Sequence, residues 1–396
     1  MRYDFDSVTD RRETGAIKWD SAPEAIKNAG TVPLTIADME FKTAPEIISA
    51  LREATTHGIF GYTYADKEYF DALKGFMKRR HGLDVEREWL LCTSGVVPAL
   101  GIAVRALTEP GEGVVIQTPV YPPFYGAIAD NSRVIVENPL KCDNCAYSMD
   151  FDDLETKCAR DDVRLMILCN PHNPIGRVWT REELQRVHEI TSRHGVTVIS
   201  DEIHGELILP GNKHTSFALI DGAADNCVIC TAMSKTFNLA GMMCSNIFVK
   251  DKHKRDIIKE RLQREAGMCI GAFSRYAAIA AFTECDDWLD ELMEYVAGNF
   301  EMLYSFIDER LPMLKYTRAE GTYLAWVDMR GLNMSEDELN ELLVNEAGIL
   351  LERGSHFGKS GECFMRINTA LPRRELKHAL ERLEAAVYRR IKKEEK

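Results

Sequence analysis

Six short apolar, β-branched runs punctuate the middle of the chain: "GVVIQTP", "RVIVENPL", "VRLMILCNP", "VTVISDE", "NCVICTA" and "SNIFVK". Each ends in turn-forming or polar residues, and continuous rather than alternating hydrophobicity predicts strands buried on both faces. Stretches with helical periodicity lie between them. "TREELQRVHEITSRHG" opens with a capping box, Thr180 and Glu183, and stops at Gly195 after basic residues. "TAPEIISALREATTHG" and "SGVVPALGIAVRALTEPG" predict two more helices that start near a hydroxyl residue and end at glycine or proline. Strand and helix in alternation predict an α/β fold, a large domain with a mostly parallel central sheet flanked by helices.

After "SNIFVK" the pattern changes. Long charged helical stretches take over, with "GTYLAWVDM" and "CFMRINTA" as isolated strands among them. The shift predicts an N-terminal arm over residues 1–45, a large domain over 46–284, and a smaller α+β domain over 285–396 that the arm joins. A chain of 396 residues suits such a division, being long for a single core.

Composition narrows the partners. Hydrophobic residues at 45% and charged ones at 28% describe an ordinary globular protein. The formal charge of −13 argues against nucleic acid and membrane surfaces, which are polyanionic, and leaves a small molecule as the expected partner. The start "MRYDFDSVTDRRETG" lacks the apolar core of a signal peptide, so the expected location is the cytoplasm. The 11 cysteines, an odd number scattered through strand-like and loop-like segments, suit reduced thiols. Cys142 with Cys145 and Cys227 with Cys230 have C-x-x-C spacing, but a strand would point the second pair to opposite faces. No metal is expected.

In an open parallel sheet, ligands bind at the carboxyl ends of the strands, so the polar residues after each apolar run are the candidates for chemistry. "LLCTSG" leads through Ser94, Gly95 and Val96 into a helix, presenting backbone amides and a positive helix end to a phosphate. "MILCNPHNPIG" places Asn173 in a proline-bracketed turn. In "VTVISDEIHGEL", Asp201 would be a carboxylate at the end of a buried strand, where it requires a positive partner such as a protonated pyridine nitrogen. In "TAMSKTFNLAGMMCSN", Lys235 stands alone at the end of the next strand. An apolar setting favours its neutral amine, which forms a Schiff base with an aldehyde. Pyridoxal 5'-phosphate carries an aldehyde, a pyridine nitrogen and a phosphate, and so accounts for all of these strand ends.

With "NPHNPIG", "SDEIH", "SKTFNLAG" and "FMRINTALPR" in this order, the chain resembles the fold type I pyridoxal-phosphate enzymes of the class I/II aminotransferase superfamily along nearly its whole length. The resemblance implies that Lys235 is the Schiff-base lysine and the base for the substrate α proton, and that Asp201 pairs with the ring nitrogen. Asn173 would donate to the ring's phenolic oxygen, and Tyr121, in "TPVYPPFY", would stack on the ring. Ser94, Gly95, Val96 and Ser234 would hold the phosphate, and Arg366 would clamp the substrate carboxylate with its planar fork. "GIFGYTY" matches the superfamily's tyrosine that reaches the neighbouring subunit's cofactor, here Tyr62, which implies a homodimer.

Two departures point to one branch. His204 stands where many of the transaminases carry a tyrosine, and Met243 where they carry a phosphate-binding arginine. Both features, and "TIADMEFKTAPEI" with Glu40 in place of a usual aspartate, resemble the cystathionine β-lyase-like carbon–sulfur lyases of the MalY/PatB type. The reaction this implies is β-elimination from cystathionine or a cysteine S-conjugate, giving a thiol, pyruvate and ammonia. Two rivals share the machinery: an aminotransferase, and a regulatory protein that keeps the cofactor but acts through a protein partner.

Overall fold

The computed structural model describes residues 1–267 and 270–394. Its thirteen strands, in chain order, are β1 (Leu90–Thr93), β2 (Gly113–Ile116), β3 (Val134–Glu137), β4 (Lys141–Asp143), β5 (Ala146–Ser148), β6 (Val163–Cys169), β7 (Thr197–Asp201), β8 (Cys227–Thr231), β9 (Ser245–Phe248), β10 (Lys315–Tyr316), β11 (Leu324–Asp328), β12 (Glu352–Arg353) and β13 (Phe364–Asn368). Seven form the central sheet in the order β1-β9-β8-β7-β6-β2-β3. All run parallel except β9, which is antiparallel to both β8 and β1. The carboxyl ends of β1, β6, β7 and β8 therefore share one edge, with Cys169 opposite Asp201 and Asp201 opposite Cys230.

The continuous apolar runs are explained by burial on both faces. Along β6, Met166 and Leu168 join one core cluster while Leu165, Ile167 and Cys169 join the other. Cys227 and Cys230 separate in the same way on β8. "RVIVENPL" departs from the expected burial: β3 is the sheet's edge, and Val134 is exposed.

The helix Arg181–Arg193 carries both halves of its capping box, Glu183 N donating to Thr180 Oγ1 and Thr180 N to Glu183 Oε2. The helix Pro45–His57 instead starts from Ala44 without a side-chain cap, with proline at its first position and Gly58 in the left-handed region past its end.

A second sheet has the order β10-β11-β13-β12, all antiparallel. "GTYLAWVDM" and "CFMRINTA" are thus not isolated strands: β11 and β13 are its two central, mutually paired members, with Trp326 opposite Arg366. The N-terminal segment is stitched to this layer by Leu34 N to Leu350 O, Asn368 N to Leu34 O and Glu40 N to Ala370 O. Among the described residues, no helix is long and apolar enough to cross a membrane.

Candidate active site

The shared edge of β1, β6, β7 and β8 opens into a cavity of about 770 Å3, mouth included. Nine of the residues expected from the sequence line it: Ser94, Gly95, Val96, Tyr121, Asn173, Asp201, His204, Ser234 and Lys235. Each is delivered by a strand end. Asp201 closes β7, Ser234 and Lys235 sit on the short helix Met233–Thr236 after β8, and Gly95 precedes the helix Val96–Leu107, whose N-terminus has no side-chain cap. Amides at such an end are free to face an anion.

Asp201 is buried, and its carboxylate accepts from Ile203 N at 3.1 Å. No cation lies within ion-pairing distance of it among the described residues. Burial pushes its pKa up to about 7, with the Ile203 amide and Lys235 pulling the other way. Lys235 is the mirror case, since burial and then Arg366 bring its amine down to about 8. Lys235 Nζ donates to the Ala37 carbonyl at 2.6 Å. The two groups are held in one cavity without neutralising each other directly.

His204 is also buried and is kept neutral by burial and by the neighbouring Lys235 and Arg366, its pKa falling to about 3. Its Nδ1 has no partner. Arg366, from β13, stands behind the cavity wall: Nη1 donates to Asn173 Oδ1 at 3.1 Å and Nη2 to Thr35 O at 2.9 Å, while Nε is unpartnered. Its guanidinium lies over the Phe357 ring at 5.0 Å.

Tyr62 does not reach the cavity of its own chain, and its side chain is fully exposed. Met243 lies at the rim in a left-handed conformation, φ 49°, and is 64% exposed. Its thioether brings no hydrogen-bond donor to that wall.

Sequence reading missed Ala37 and Tyr323 as site residues. The Ala37 carbonyl accepts from both Lys235 and Tyr323 OH, the latter at 2.9 Å. The motif "TIADMEF" contains Ala37, but only a backbone oxygen is used, and no side-chain pattern marks that. Cys169 and Cys244 also line the cavity, hidden in the sequence among ordinary apolar positions.

Residues 29–383 match the family described as aminotransferase class I and II. The chain belongs to that family. Within it, the chain is 43% identical to cystathionine beta-lyase PatB of Bacillus subtilis, covering 97% of this chain and 99% of the relative. Protein MalY of Escherichia coli is 32% identical over 94% of this chain and 96% of its own. Among solved structures, cystalysin from Treponema denticola, which contains a pyridoxal 5'-phosphate cofactor, superposes with a TM-score of 0.95 at 38% identity, covering 98% of this chain and 99% of its own. A PLP-bound C–S lyase from Staphylococcus hominis gives a TM-score of 0.91 at 31% identity, with 98% of each chain covered. The class I and II fold is thus shared along essentially the whole length.

Proposed function

We propose that this chain is a pyridoxal-phosphate-dependent carbon–sulfur β-lyase that cleaves cystathionine or a cysteine S-conjugate to a thiol, pyruvate and ammonia. The observation that carries it is the gathering of Lys235, Asp201 and Asn173 around one cavity, with Arg366 behind it, in a chain 43% identical to a cystathionine beta-lyase over nearly its full length.

The residues fit the cofactor on their own chemistry. Asp201 is a buried carboxylate lacking a counter-cation, which a pyridinium nitrogen would supply. Lys235 would take the aldehyde, the amide end at Ser94, Gly95 and Val96 with Ser234 would hold the phosphate, Asn173 would meet the phenolic oxygen, and Tyr121 would cover the ring, with the neutral His204 on the same wall. Bound there, pyridoxal phosphate supplies an electron sink for the substrate α carbon.

The chain's residues do the rest. Arg366 binds the substrate carboxylate through its fork and fixes the Cα–H bond toward Lys235. The Lys235 amine, its pKa lowered by burial and by Arg366, takes that proton in its neutral form. The bond from the β carbon to sulfur then breaks with its electron pair leaving on sulfur, which ends protonated as the thiol. The three-carbon fragment takes up water and leaves as pyruvate and ammonia.

Met243 favours elimination over amino transfer as the reading. Where the resemblance expects an arginine on the phosphate, this chain offers a thioether at the rim. The assay that tests the choice follows thiol release from an S-conjugate with and without a keto-acid acceptor. Elimination needs no acceptor. Amino transfer that depends on the acceptor, without thiol, would overturn the reading.

We infer a homodimer from the exposed apolar segment Ile59, Phe60, Tyr62 and Tyr64, with Tyr62 reaching the second copy's phosphate site. The described cysteines are all unbridged, which supports a cytoplasmic location.

A further inference from the structure

Among the described residues, the Tyr323 hydroxyl has one hydrogen-bond partner, the Ala37 carbonyl, and it shares that acceptor with Lys235. The tyrosine immediately precedes β11, is fully buried, and packs edge-on against His204 with ring centroids 6.1 Å apart. The acceptor itself cannot swing away. Asn368 Nδ2 donates to Ile36 O at 2.8 Å and to Asp38 O at 2.7 Å, pinning the peptide groups on either side of Ala37. Asn238 grips the next turn of chain, accepting from Met39 N at 3.0 Å and donating to Phe41 O at 2.9 Å.

A carbonyl oxygen has two lone pairs, and a donor on one weakens the oxygen as an acceptor for the other. An ammonium gains more from a strong acceptor than a neutral amine does. We propose that Tyr323 is a positioning residue for the reaction: by occupying one lone pair of the Ala37 carbonyl, it fixes where the free Lys235 amine rests and makes that contact weaker than it would be to an unshared oxygen. The role in turnover rests on the lyase reading above. The shared acceptor does not.

The charged groups acting on Lys235 are Arg366 and Lys18, which oppose its charge, and Asp38 and Asp201, which favour it; burial opposes it most. Tyr323→Phe alters none of these groups, so a change in the lysine's titration can be assigned to the carbonyl.

The test compares full-length wild type with Tyr323→Phe in two measurements. In the cofactor-stripped chain, the rate of Lys235 acetylation by acetic anhydride is followed against pH by peptide mass spectrometry. The expected midpoint for the variant lies about half to one pH unit higher, the order of shift one altered hydrogen bond produces. In the loaded enzyme, the acid limb of kcat moves the same way while KM changes less than about twofold. Identical acetylation midpoints would overturn the proposal, as would a variant that fails to fold, since a hydroxyl that only positions the lysine is not needed for folding. Should wild type release no thiol, the lyase reading fails, and the midpoint comparison still decides the role of Tyr323.

Discussion

Arg366 of the second sheet and Asn173 of the turn after β6 meet at 3.1 Å, Nη1 donating to Oδ1, so the proposed carboxylate clamp and the cofactor wall are one hydrogen-bonded unit. The fork also spans to Thr35 O at 2.9 Å, which ties the N-terminal segment to the same group.

Lysine cannot reproduce the planar geometry that holds both contacts at once, because its ammonium lacks the rigid fork. Arg366→Lys is expected to raise KM for cystathionine by about 10–100-fold, the loss of one or two charge-assisted hydrogen bonds, with a smaller effect on kcat. Steady-state thiol release checks it, and an unchanged KM would remove Arg366 from substrate binding.

Asp201 makes the cofactor-free chain sensitive to pH in a defined direction. Its folded pKa, about 7, lies above the ordinary 3.8, so the folded state holds a proton that the unfolded state has lost between those values. Its contribution to stability is present below pH 3.8, falls as pH rises, and is gone above about 7, a change on the order of 4 kcal/mol. Asp201→Asn removes this term. In urea titrations the cofactor-free variant should be more stable than wild type at pH 8 and differ less at pH 5, while binding the cofactor more weakly.

Much of this was legible in sequence. Lys235, Asp201, Asn173 and Ser94 could be located because each ends or follows a buried strand, and the parallel arrangement brings such ends to one edge. The reversal of β9 was not legible, since a buried apolar run reads the same in either direction. Nor was the pairing of β11 with β13, whose partners lie about forty residues apart and match only through register. Tyr323 escaped for a related reason: its role depends on a backbone oxygen 286 residues away.

The N-terminal segment carries an ionic cluster, with Lys18 and Glu40 buried and Arg11 and Asp38 half-buried, that steadies the same stretch of chain. Lys18 Nζ lies 2.8 Å from Glu40 Oε1 and 3.2 Å from Asp38 Oδ1, Arg11 Nη2 is 2.7 Å from Asp38, and Trp19 Nε1 donates to Glu40 at 3.0 Å. Burial works against the Asp38 charge, but Arg11 and Lys18 outweigh it and lower its pKa. Lys18→Met leaves the buried Glu40 and the half-buried Asp38 with one cation and should cost up to about 3–5 kcal/mol in urea unfolding at neutral pH. A cost below about 1 kcal/mol would show the cluster to be neutral ballast.

The inferred sharing of sites between two copies can be read by complementation. Lys235→Ala and Tyr62→Ala chains, each impaired alone, are unfolded, mixed and refolded. If Tyr62 serves the second copy's site, each mixed dimer holds one complete site and recovers about half of wild-type activity. Without recovery, Tyr62 serves its own chain or none.

The most direct measurement of the central claim is product stoichiometry. Purified chain loaded with pyridoxal phosphate is incubated with cystathionine and no keto acid, and homocysteine, pyruvate and ammonia are followed together, beside Lys235→Ala. Wild type should release the three in equal amounts, and the variant should be slower by at least about 10²–10⁴-fold. Absence of thiol from wild type, or undiminished release by the variant, would contradict β-elimination at Lys235.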